Sequence, residues 1–230
     1  MVPLSFADRS FFVCAGAGLY WPDQNALLVA DLHLEKASWY ARFGQMLPPY
    51  DSRATLQRLS DAMALCGARR VLCLGDNFHD NMGEARLEGQ AADRLANLTA
   101  THDWTWITGN HDHGLAGRFG GTVTAQLELD DIILRHEAGS AAPESDAPPE
   151  IFGHFHPKLR LALRGRHVAR PCFVRSHRRL ILPAFGSLTG GMNWADPAIM
   201  AIMGNMAHAL VATESRLVAI PSPAMGQESA

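Results

Sequence analysis

Apolar and polar positions alternate in two ways along the chain, and the pattern changes near residue 120. In the first half, short apolar runs that predict buried strands are separated by longer amphipathic segments that predict helices. We expect the strands at 25–30, 71–75 and 104–109, and the helices at 51–68 and around 84–98. Asp51 is expected to be the N-cap of the first of these helices. This alternation is typical of an α/β protein.

After residue 120, apolar runs follow one another closely with few helical segments between them. The runs are TVTAQLEL, DIILRH, EIFGH, KLRLAL, HVARPCFV, RLILPAF, AHALVAT and RLVAIP. Their spacing predicts short, mostly antiparallel strands. The segment 137–150, rich in Ala, Pro, Ser and acidic residues, is expected to be a mobile surface loop, and 222–230 a flexible tail.

The chain has 230 residues, and we expect a single domain over 1–221. An apolar share of 47% and a charged share of 19% exclude disordered, collagen-like and coiled-coil proteins. The N-terminal sequence lacks the features of a signal peptide, and no apolar run is long enough to span a membrane. The four cysteines lack CxxC spacing, so we expect free thiols and a cytoplasmic location.

Residue types that bind metals follow five of the predicted strands directly, and histidine is frequent, with 11 in the chain. They are Asp31 and His33, then Asp76, then Asn110 and His111, then His136, and finally His154 and His156. Strand ends are where α/β proteins assemble sites, because rigid strands fix the positions of the residues that follow. In an extended chain, residues two apart project to the same side, so Asp-x-His and His-x-His are suitable chelating pairs.

These residues divide into two donor sets. One, suited to a divalent Mn, Fe, Co, Ni or Zn ion, contains Asp31, His33 and His156. The other, richer in nitrogen, contains Asn110, His136 and His154. Asp76 is the natural bridge, because two carboxylate oxygens can hold two cations about 3.5–4 Å apart. Each of these residues or pairs, taken alone, has a simpler explanation, such as a turn or a structural histidine. The conjunction of five strand ends favours a metal site.

In their order along the chain, these segments resemble the motifs of the calcineurin-like metallophosphoesterases. The motifs are DLHLEKA (31–37), GDNFHD (75–80), GNHDHG (109–114), RHE (135–137) and GHFHP (153–157). The resemblance implies an α/β fold in which a β-sandwich of two mixed sheets is flanked by helices, in four α/β/β/α layers. DLHLEKA, GDNFHD and PAFGSLTGG (183–191) are also similar to bacterial ligase-associated DNA damage response endonucleases.

The resemblance also implies a dinuclear centre, and we expect two divalent metal ions, Mn ahead of Fe, Zn, Co or Ni. One metal would be bound by Asp31, His33, Asp76 and His156, and the other by Asp76, Asn110, His136 and His154. Two cations lower the pKa of a shared water and neutralise phosphate oxygens. His111 is implied to be catalytic, acting on the leaving oxygen as a general acid or an electrostatic clamp.

Three residues near these motifs are candidates for supporting roles. Asp112 would orient the His111 imidazole or cap a helix. GDNFHD departs from many relatives, which end this motif with an acidic and a basic residue. His79 and Asp80 are therefore candidates to orient a ligand, contact the substrate or cap a helix.

The net charge of −3 conceals a strongly basic segment. Residues 158–179 contain eight basic and no acidic residues, which leaves 12 basic against 23 acidic residues elsewhere, a charge of −11. In KLRLALRG, the leucines occupy one face of a predicted strand, and Lys158, Arg160 and Arg164 the other. A basic face beside a hydrolytic centre suits a nucleic acid or polyphosphate, so these three are candidate substrate-binding residues. An ordinary solvated strand face explains the pattern equally well.

These observations favour a metal-dependent phosphodiesterase or endonuclease that hydrolyses phosphodiester bonds, with DNA as the expected substrate. Two alternatives stay open: a hydrolase of small nucleotides or phosphomonoesters, and a non-catalytic protein-binding scaffold of the same fold. DNA-repair proteins are expected partners by resemblance only. The Met-rich stretch 197–210 and the late strands offer a surface for a homo-oligomer.

Overall fold

The computed structural model describes residues 1–142, 146–163 and 166–222. The first half contains β1 (Val2–Phe6), β2 (Arg9–Cys14), β3 (Gly18–Trp21), β4 (Ala26–Val29), α1 (Lys36–Ala41), α2 (Asp51–Cys66), β5 (Arg70–Leu74), α3 (Gly83–Arg86), α4 (Gly89–Thr101) and β6 (Asp103–Ile107). A short 3-10 helix at Pro22–Gln24 joins β3 to β4. The expected alternation of strands and helices is therefore present from β4 to β6.

The second half consists mainly of strands, as expected. It contains β7 (Thr122–Thr124), β8 (Gln126–Leu129), β9 (Ile132–Arg135), β10 (Glu150–Phe152), β11 (Lys158–Leu163), β12 (Arg166–Pro171), β13 (Phe173–Arg175), β14 (Arg179–Ile181), α5 (Pro197–Met203), β15 (His208–Ala212) and β16 (Leu217–Pro221). In the described part of the chain, no helix is both long and apolar enough to cross a membrane.

The strands form two seven-stranded mixed sheets and a small hairpin. The first sheet follows chain order from β1 to β7, antiparallel up to β4 and parallel from β4 to β7. The second has the order β16-β15-β13-β14-β10-β9-β8, with parallel pairing of β10 to both β9 and β14. β11 and β12 pair with each other as an antiparallel hairpin, and Lys158 of β11 also forms an isolated parallel bridge with Asn193. The expected architecture of two mixed sheets is confirmed.

Alternation of side chains along the strands builds four layers. In β4, Leu28 joins the core between the two sheets, whereas Leu27 and Val29 pack under the helices α2 and α4. On the outer face of the second sheet, a third cluster packs against Ile199 and Met203 of α5. The order of layers is helix, sheet, sheet, helix.

Several local expectations differ from the structure. Tyr50, rather than Asp51, precedes the first turn of α2, and the Asp51 carboxylate accepts a hydrogen bond from the Ala37 N–H. The helix expected around 84–98 is two helices, because Leu87 is buried in an extended conformation between α3 and α4. Strands β1 to β3 carried no prediction. Residues 143–145 of the expected loop and 223–230 of the expected tail lie outside the described residues.

Candidate metal centre

The candidate metal-ligating residues lie where strand ends of the two sheets face each other. Asp31, Asp76 and Asn110 follow β4, β5 and β6, whose parallel pairing places their carboxyl ends on one edge. His136 and His154 follow β9 and β10, which are also parallel. Backbone bonds tie the loops together, because Asp31 N donates to Gly75 O at 3.1 Å and His154 N to the Asp31 carboxylate at 3.1 Å.

The first donor set converges in a buried cluster. Asp31, His33, Asp76 and His156 place ligand atoms within 4.8 Å of one another. The Nε2 atoms of His33 and His156 are 3.2 Å apart, and His156 Nε2 lies 3.4 Å from Asp31 Oδ1. Asp76 Oδ2 lies 3.7 Å from His33 Nε2. The structure therefore brings together the four residues that sequence reasoning grouped around one metal.

The second donor set lies on the other side of Asp76. His136 Nε2 is 3.4 Å from Asp76 Oδ1, 2.9 Å from Asn110 Oδ1 and 3.2 Å from His154 Nδ1. The Asn110 oxygen is also 3.1 Å from His154 Nδ1. Asp76 thus turns one carboxylate oxygen toward each donor set. This is the arrangement that a bridging carboxylate requires.

The chemistry of the cluster fits divalent cations. Asp31 and Asp76 are buried, and no Lys or Arg pairs with either among the described residues. Buried carboxylates need a compensating positive charge. Burial lowers the pKa of His33 and of His154, which favours neutral imidazoles with free lone pairs. In each donor set, two imidazole nitrogens lie 3.2 Å apart. This separation is close to that of two neighbouring ligands that each lie about 2.1 Å from one ion.

An unusual backbone makes this convergence possible. Asp31, His33, Asp76, His154 and His156 all have φ between 44° and 71°, in the left-handed region. Such conformations cost energy in residues other than glycine and concentrate at functional sites. The expectation that the Asp-x-His and His-x-His pairs lie on extended chain is therefore wrong. The paired side chains meet because the backbone turns sharply at each of them.

Two glycines leave room for the ligands. Gly75 has φ of +81°, and a Cβ there would collide with the His136 ring. A Cβ at Gly109 would collide with the Asp76 carboxylate. Glycine permits both the positive φ and the close approach of a side chain to the backbone. These positions explain why Asp76 and Asn110 each follow a glycine.

His111 lies at the rim of the cluster. Its Nδ1 is 2.8 Å from the backbone oxygen of His79, and its Nε2 is 3.9 Å from Asp76 Oδ2. Because a carbonyl can only accept, Nδ1 carries the proton and Nε2 faces the cluster. The His111 side chain is 39% exposed, so an incoming substrate can reach it.

His79 contacts both His111 and a ligand of the first set. Its Nδ1 is 3.4 Å from His33 Nδ1, and its ring is stacked on that of His111 with centroids 5.2 Å apart. Burial lowers the pKa of His79 to about 4, so its imidazole is neutral near pH 7. Neutral His79 can accept a hydrogen bond from the Nδ1–H of His33, which leaves His33 Nε2 directed at the cluster.

The other candidate supporting residues bind the surrounding loops. Asp80 accepts from Arg86 at 2.9 Å and from Met82 N at 2.8 Å. Asp112 is buried, and its carboxylate accepts from the backbone N–H groups of Asn77, Phe78 and Gly109 at 2.7 to 3.1 Å. Asp112 therefore neither orients the His111 imidazole nor caps a helix. It joins the two loops that carry Asp76 and Asn110.

The basic residues after His156 are partly engaged. Lys158 Nζ donates to Thr189 O at 3.1 Å, and Arg160 Nη2 donates to Gly191 O at 3.0 Å. Both thus tie the hairpin to the segment 186–193 while remaining near the end of the His154–His156 loop. Arg164 lies outside the described residues.

Two charged residues near the centre carried no sequence prediction. Glu137 Oε1 is 3.5 Å from His154 Nδ1, and Glu137, His136 and His154 form a further group with metal-binding geometry. The position of Glu137 directly after His136 in the sequence could have identified it as a candidate. Lys36, the first residue of α1, is partly buried, and its positive charge lowers the pKa of His33 and of His79 after the larger effect of burial.

Comparison with known proteins adds an independent observation. The sequence pattern of a family described as calcineurin-like phosphoesterase matches residues 25–166. A crystal structure of the Pseudomonas putida nuclease MPE is similar over 95% of this chain and 98% of that chain, with 28% identity and a TM-score of 0.71. A phosphoesterase from E. coli, Yfce, is 14% identical over 82% of this chain and 88% of its own, with a TM-score of 0.39. Among curated proteins, none matches the sequence.

Proposed function

The chain belongs to the calcineurin-like phosphoesterase family, and from this premise we propose that it cleaves phosphodiester bonds of DNA at a dinuclear metal centre. Family membership makes it a phosphoester hydrolase that uses divalent metals. The observation that carries the proposal is the position of Asp76 between two donor sets, with Oδ2 toward His33 and Oδ1 toward His136.

In this proposal, one metal would be held by Asp31, His33, Asp76 and His156, and the other by Asp76, Asn110, His136 and His154. The mixed nitrogen and oxygen donors suit Mn, and Fe, Zn, Co or Ni are compatible with them. When bound, the two cations supply an activated water and neutralise charge on the phosphate. Glu137 is placed to complete the second site.

His111 contributes the protein's own acid chemistry. With Nδ1–H held by the His79 carbonyl, Nε2 faces the cluster, 3.9 Å from Asp76 Oδ2. A proton delivered from Nε2 to the leaving oxygen would prevent a poor alkoxide from having to depart as an anion. The carbonyl at Nδ1 stabilises the imidazolium that this role requires. His79 is a positioning residue, because it reaches the reacting groups only through His33 and His111.

DNA is supported by two observations. The relative with 28% identity over nearly its whole length is a nuclease. The hairpin strand β11 begins two residues after His156 and carries Lys158 and Arg160. A function in DNA repair within the cytoplasm is part of the same proposal, supported by the subgroup resemblance and by the four free cysteines.

Substrate comparison under Mn²⁺ tests this function. Rates are measured with bis-p-nitrophenyl phosphate, p-nitrophenyl phosphate, dinucleoside polyphosphates, and single- and double-stranded DNA. We expect hydrolysis of the diester and cleavage of DNA, with the monoester slower. Preference for p-nitrophenyl phosphate or for a dinucleoside polyphosphate would instead indicate a hydrolase of small phosphoesters. No turnover of any of them would indicate a non-catalytic protein.

A further inference from the structure

A continuous row of aromatic rings leads from the metal centre to the protein surface. His111 stacks on His79 with a centroid distance of 5.2 Å, and His79 contacts Trp39 at 5.0 Å and Tyr40 at 5.8 Å. Trp39 in turn contacts Phe43 at 4.9 Å. We call Trp39, Tyr40 and Phe43 the aromatic platform. The platform is therefore the direct continuation of the rim that carries the catalytic histidine.

The outer part of the platform faces solvent. Phe43 is 63% exposed, and Trp39 and Tyr40 are partly exposed. Residues 41–46 are exposed throughout, which includes Met46 at 84%. Exposed aromatic rings next to a reaction centre are not needed for the core, which lies between the two sheets and under the helices. They are available to contact a substrate that extends beyond the metals.

The charge around the platform indicates the chemistry of that substrate. Residues 36–50 contain Lys36 and Arg42 and no acidic residue, and Glu35 and Asp51 flank this segment. The combination of basic and stacking side chains suits a phosphate backbone that carries aromatic bases. Bases in a duplex are stacked on each other, so only unpaired bases can present their faces to a protein ring.

We propose that the aromatic platform stacks unpaired nucleobases of a strand whose phosphodiester lies at the metal centre. This inference rests on the proposed function and adds a binding site for the bases next to the scissile bond. His79 and His111 form the inner end of the row, and Phe43 the outer end. A base on Phe43 would hold the strand across the rim without any hydrogen bond to the base, so the contact tolerates any sequence.

The experiment measures binding and cleavage by a Phe43→Ala variant. Phe43 touches no metal-ligating residue in the structure's described part, so hydrolysis of bis-p-nitrophenyl phosphate should be unchanged. Fluorescence anisotropy with a labelled oligothymidylate, in Ca²⁺ to prevent turnover, should show affinity weakened about fivefold or more. Phe43→Trp should retain affinity. Leu65→Ala is the matched control, because Leu65 is 59% exposed at the opposite end of α2 from Asp51.

An abasic series identifies the group that Phe43 contacts. Oligothymidylates with one abasic site at successive positions are compared on both proteins. At one position, loss of the base should weaken wild-type binding and leave the Phe43→Ala variant unaffected. Equal effects on both proteins at every position would overturn the proposal, as would undiminished binding of the intact strand by Phe43→Ala.

The remaining outcomes separate this inference from the proposed function. If wild type hydrolyses bis-p-nitrophenyl phosphate but binds no oligothymidylate, the platform proposal is wrong and the phosphodiesterase proposal stands. If wild type binds oligothymidylate through Phe43 but hydrolyses no diester, the phosphodiesterase proposal is wrong and the platform proposal stands. A change in sedimentation from dimer to monomer in Phe43→Ala, with DNA binding intact, would assign the platform to a second copy of the chain.

Discussion

The Nδ1 atom of His111 lies 2.8 Å from the backbone carbonyl oxygen of His79. This single contact fixes the tautomer of the proposed general acid, because the carbonyl accepts and so the Nδ1 atom must donate. The carbonyl belongs to the GDNFHD motif that also supplies Asp76. One short loop therefore sets the position of the Asp76 carboxylate, the proposed bridge, and the direction of His111 Nε2.

We expect His111→Ala to retain its metals and lose turnover. Loss of a general acid lowers DNA cleavage by about 100- to 10,000-fold. The loss should be smaller for bis-p-nitrophenyl phosphate, because nitrophenolate leaves without a proton. Rates on both substrates and metal content are the measurements. Equal losses on both would argue against proton donation and favour charge stabilisation of the phosphate by His111.

We expect His79→Ala to weaken metal binding more than it weakens catalysis. The variant loses the acceptor for His33 Nδ1–H, and partners of metal-ligating histidines contribute about 10- to 100-fold in metal affinity. The Mn²⁺ concentration for half-maximal activity should rise accordingly, with most of the rate recovered at saturation.

The conservative variant His79→Asn is the control for this positioning role. Its side-chain oxygen can take the place of Nδ1 as the acceptor, so it should restore part of the Mn²⁺ affinity. A rate that stays low at saturating Mn²⁺ in both variants would show that His79 acts mainly on His111, through the ring stack.

The convergence of the candidate ligand residues could be predicted from sequence because their positions follow from burial. Apolar runs mark β4, β5, β6, β9 and β10, and the residue after each run is where a strand leaves the core. Parallel pairing then brings these ends together. The left-handed backbone at Asp31 and His33 left no comparable signal, since apolar periodicity reports burial and not the local φ of a loop.

The role of Asp112 could not be predicted for a different reason. Its carboxylate accepts from the N–H groups of Asn77 and Phe78, which lie 35 and 34 residues away and become neighbours only when β5 and β6 pair. Local rules suggested a helix cap, because an aspartate after a strand end commonly serves as one.

We expect Asp112→Ala to destabilise the protein strongly. The substitution leaves three N–H groups in a buried region without their acceptor, at a cost of about 1–3 kcal/mol for each. Urea unfolding should therefore show a loss of about 3 kcal/mol or more. Asp93→Ala, on the exposed face of α4, should change stability by less than about 0.5 kcal/mol. Similar small losses of stability in both variants would contradict the role of Asp112 in joining the two loops.

We expect Arg160→Glu to weaken DNA binding in a salt-dependent manner. Arg160 is exposed on β11 beside the centre, and each phosphate contact contributes a slope of about −0.9 in log affinity against log salt on duplex DNA. The variant should show a shallower slope than wild type. Arg69→Glu carries the same charge change at the amino end of β5, away from Asp76, and should keep the wild-type slope. An unchanged slope in Arg160→Glu would exclude a phosphate contact by this residue.

Replacement of Asp76, the proposed bridge, provides the most direct test of the proposed dinuclear arrangement. Asp76 turns Oδ2 toward His33 and Oδ1 toward His136, and burial raises its pKa, as expected for a carboxylate with no fixed cation beside it. Asp76→Asn keeps the shape and removes the charge, so both sites should lose affinity and nearly all activity should disappear. Metal analysis after dialysis should find less than one Mn²⁺ per chain, against about two in wild type.

Wild type should also be stabilised by Mn²⁺. Its free energy of unfolding should rise by about 2.7 kcal/mol at a Mn²⁺ concentration 100 times the dissociation constant, and that of the variant should not. Two retained metals in Asp76→Asn would show that each donor set binds its ion independently and that Asp76 is not a bridge.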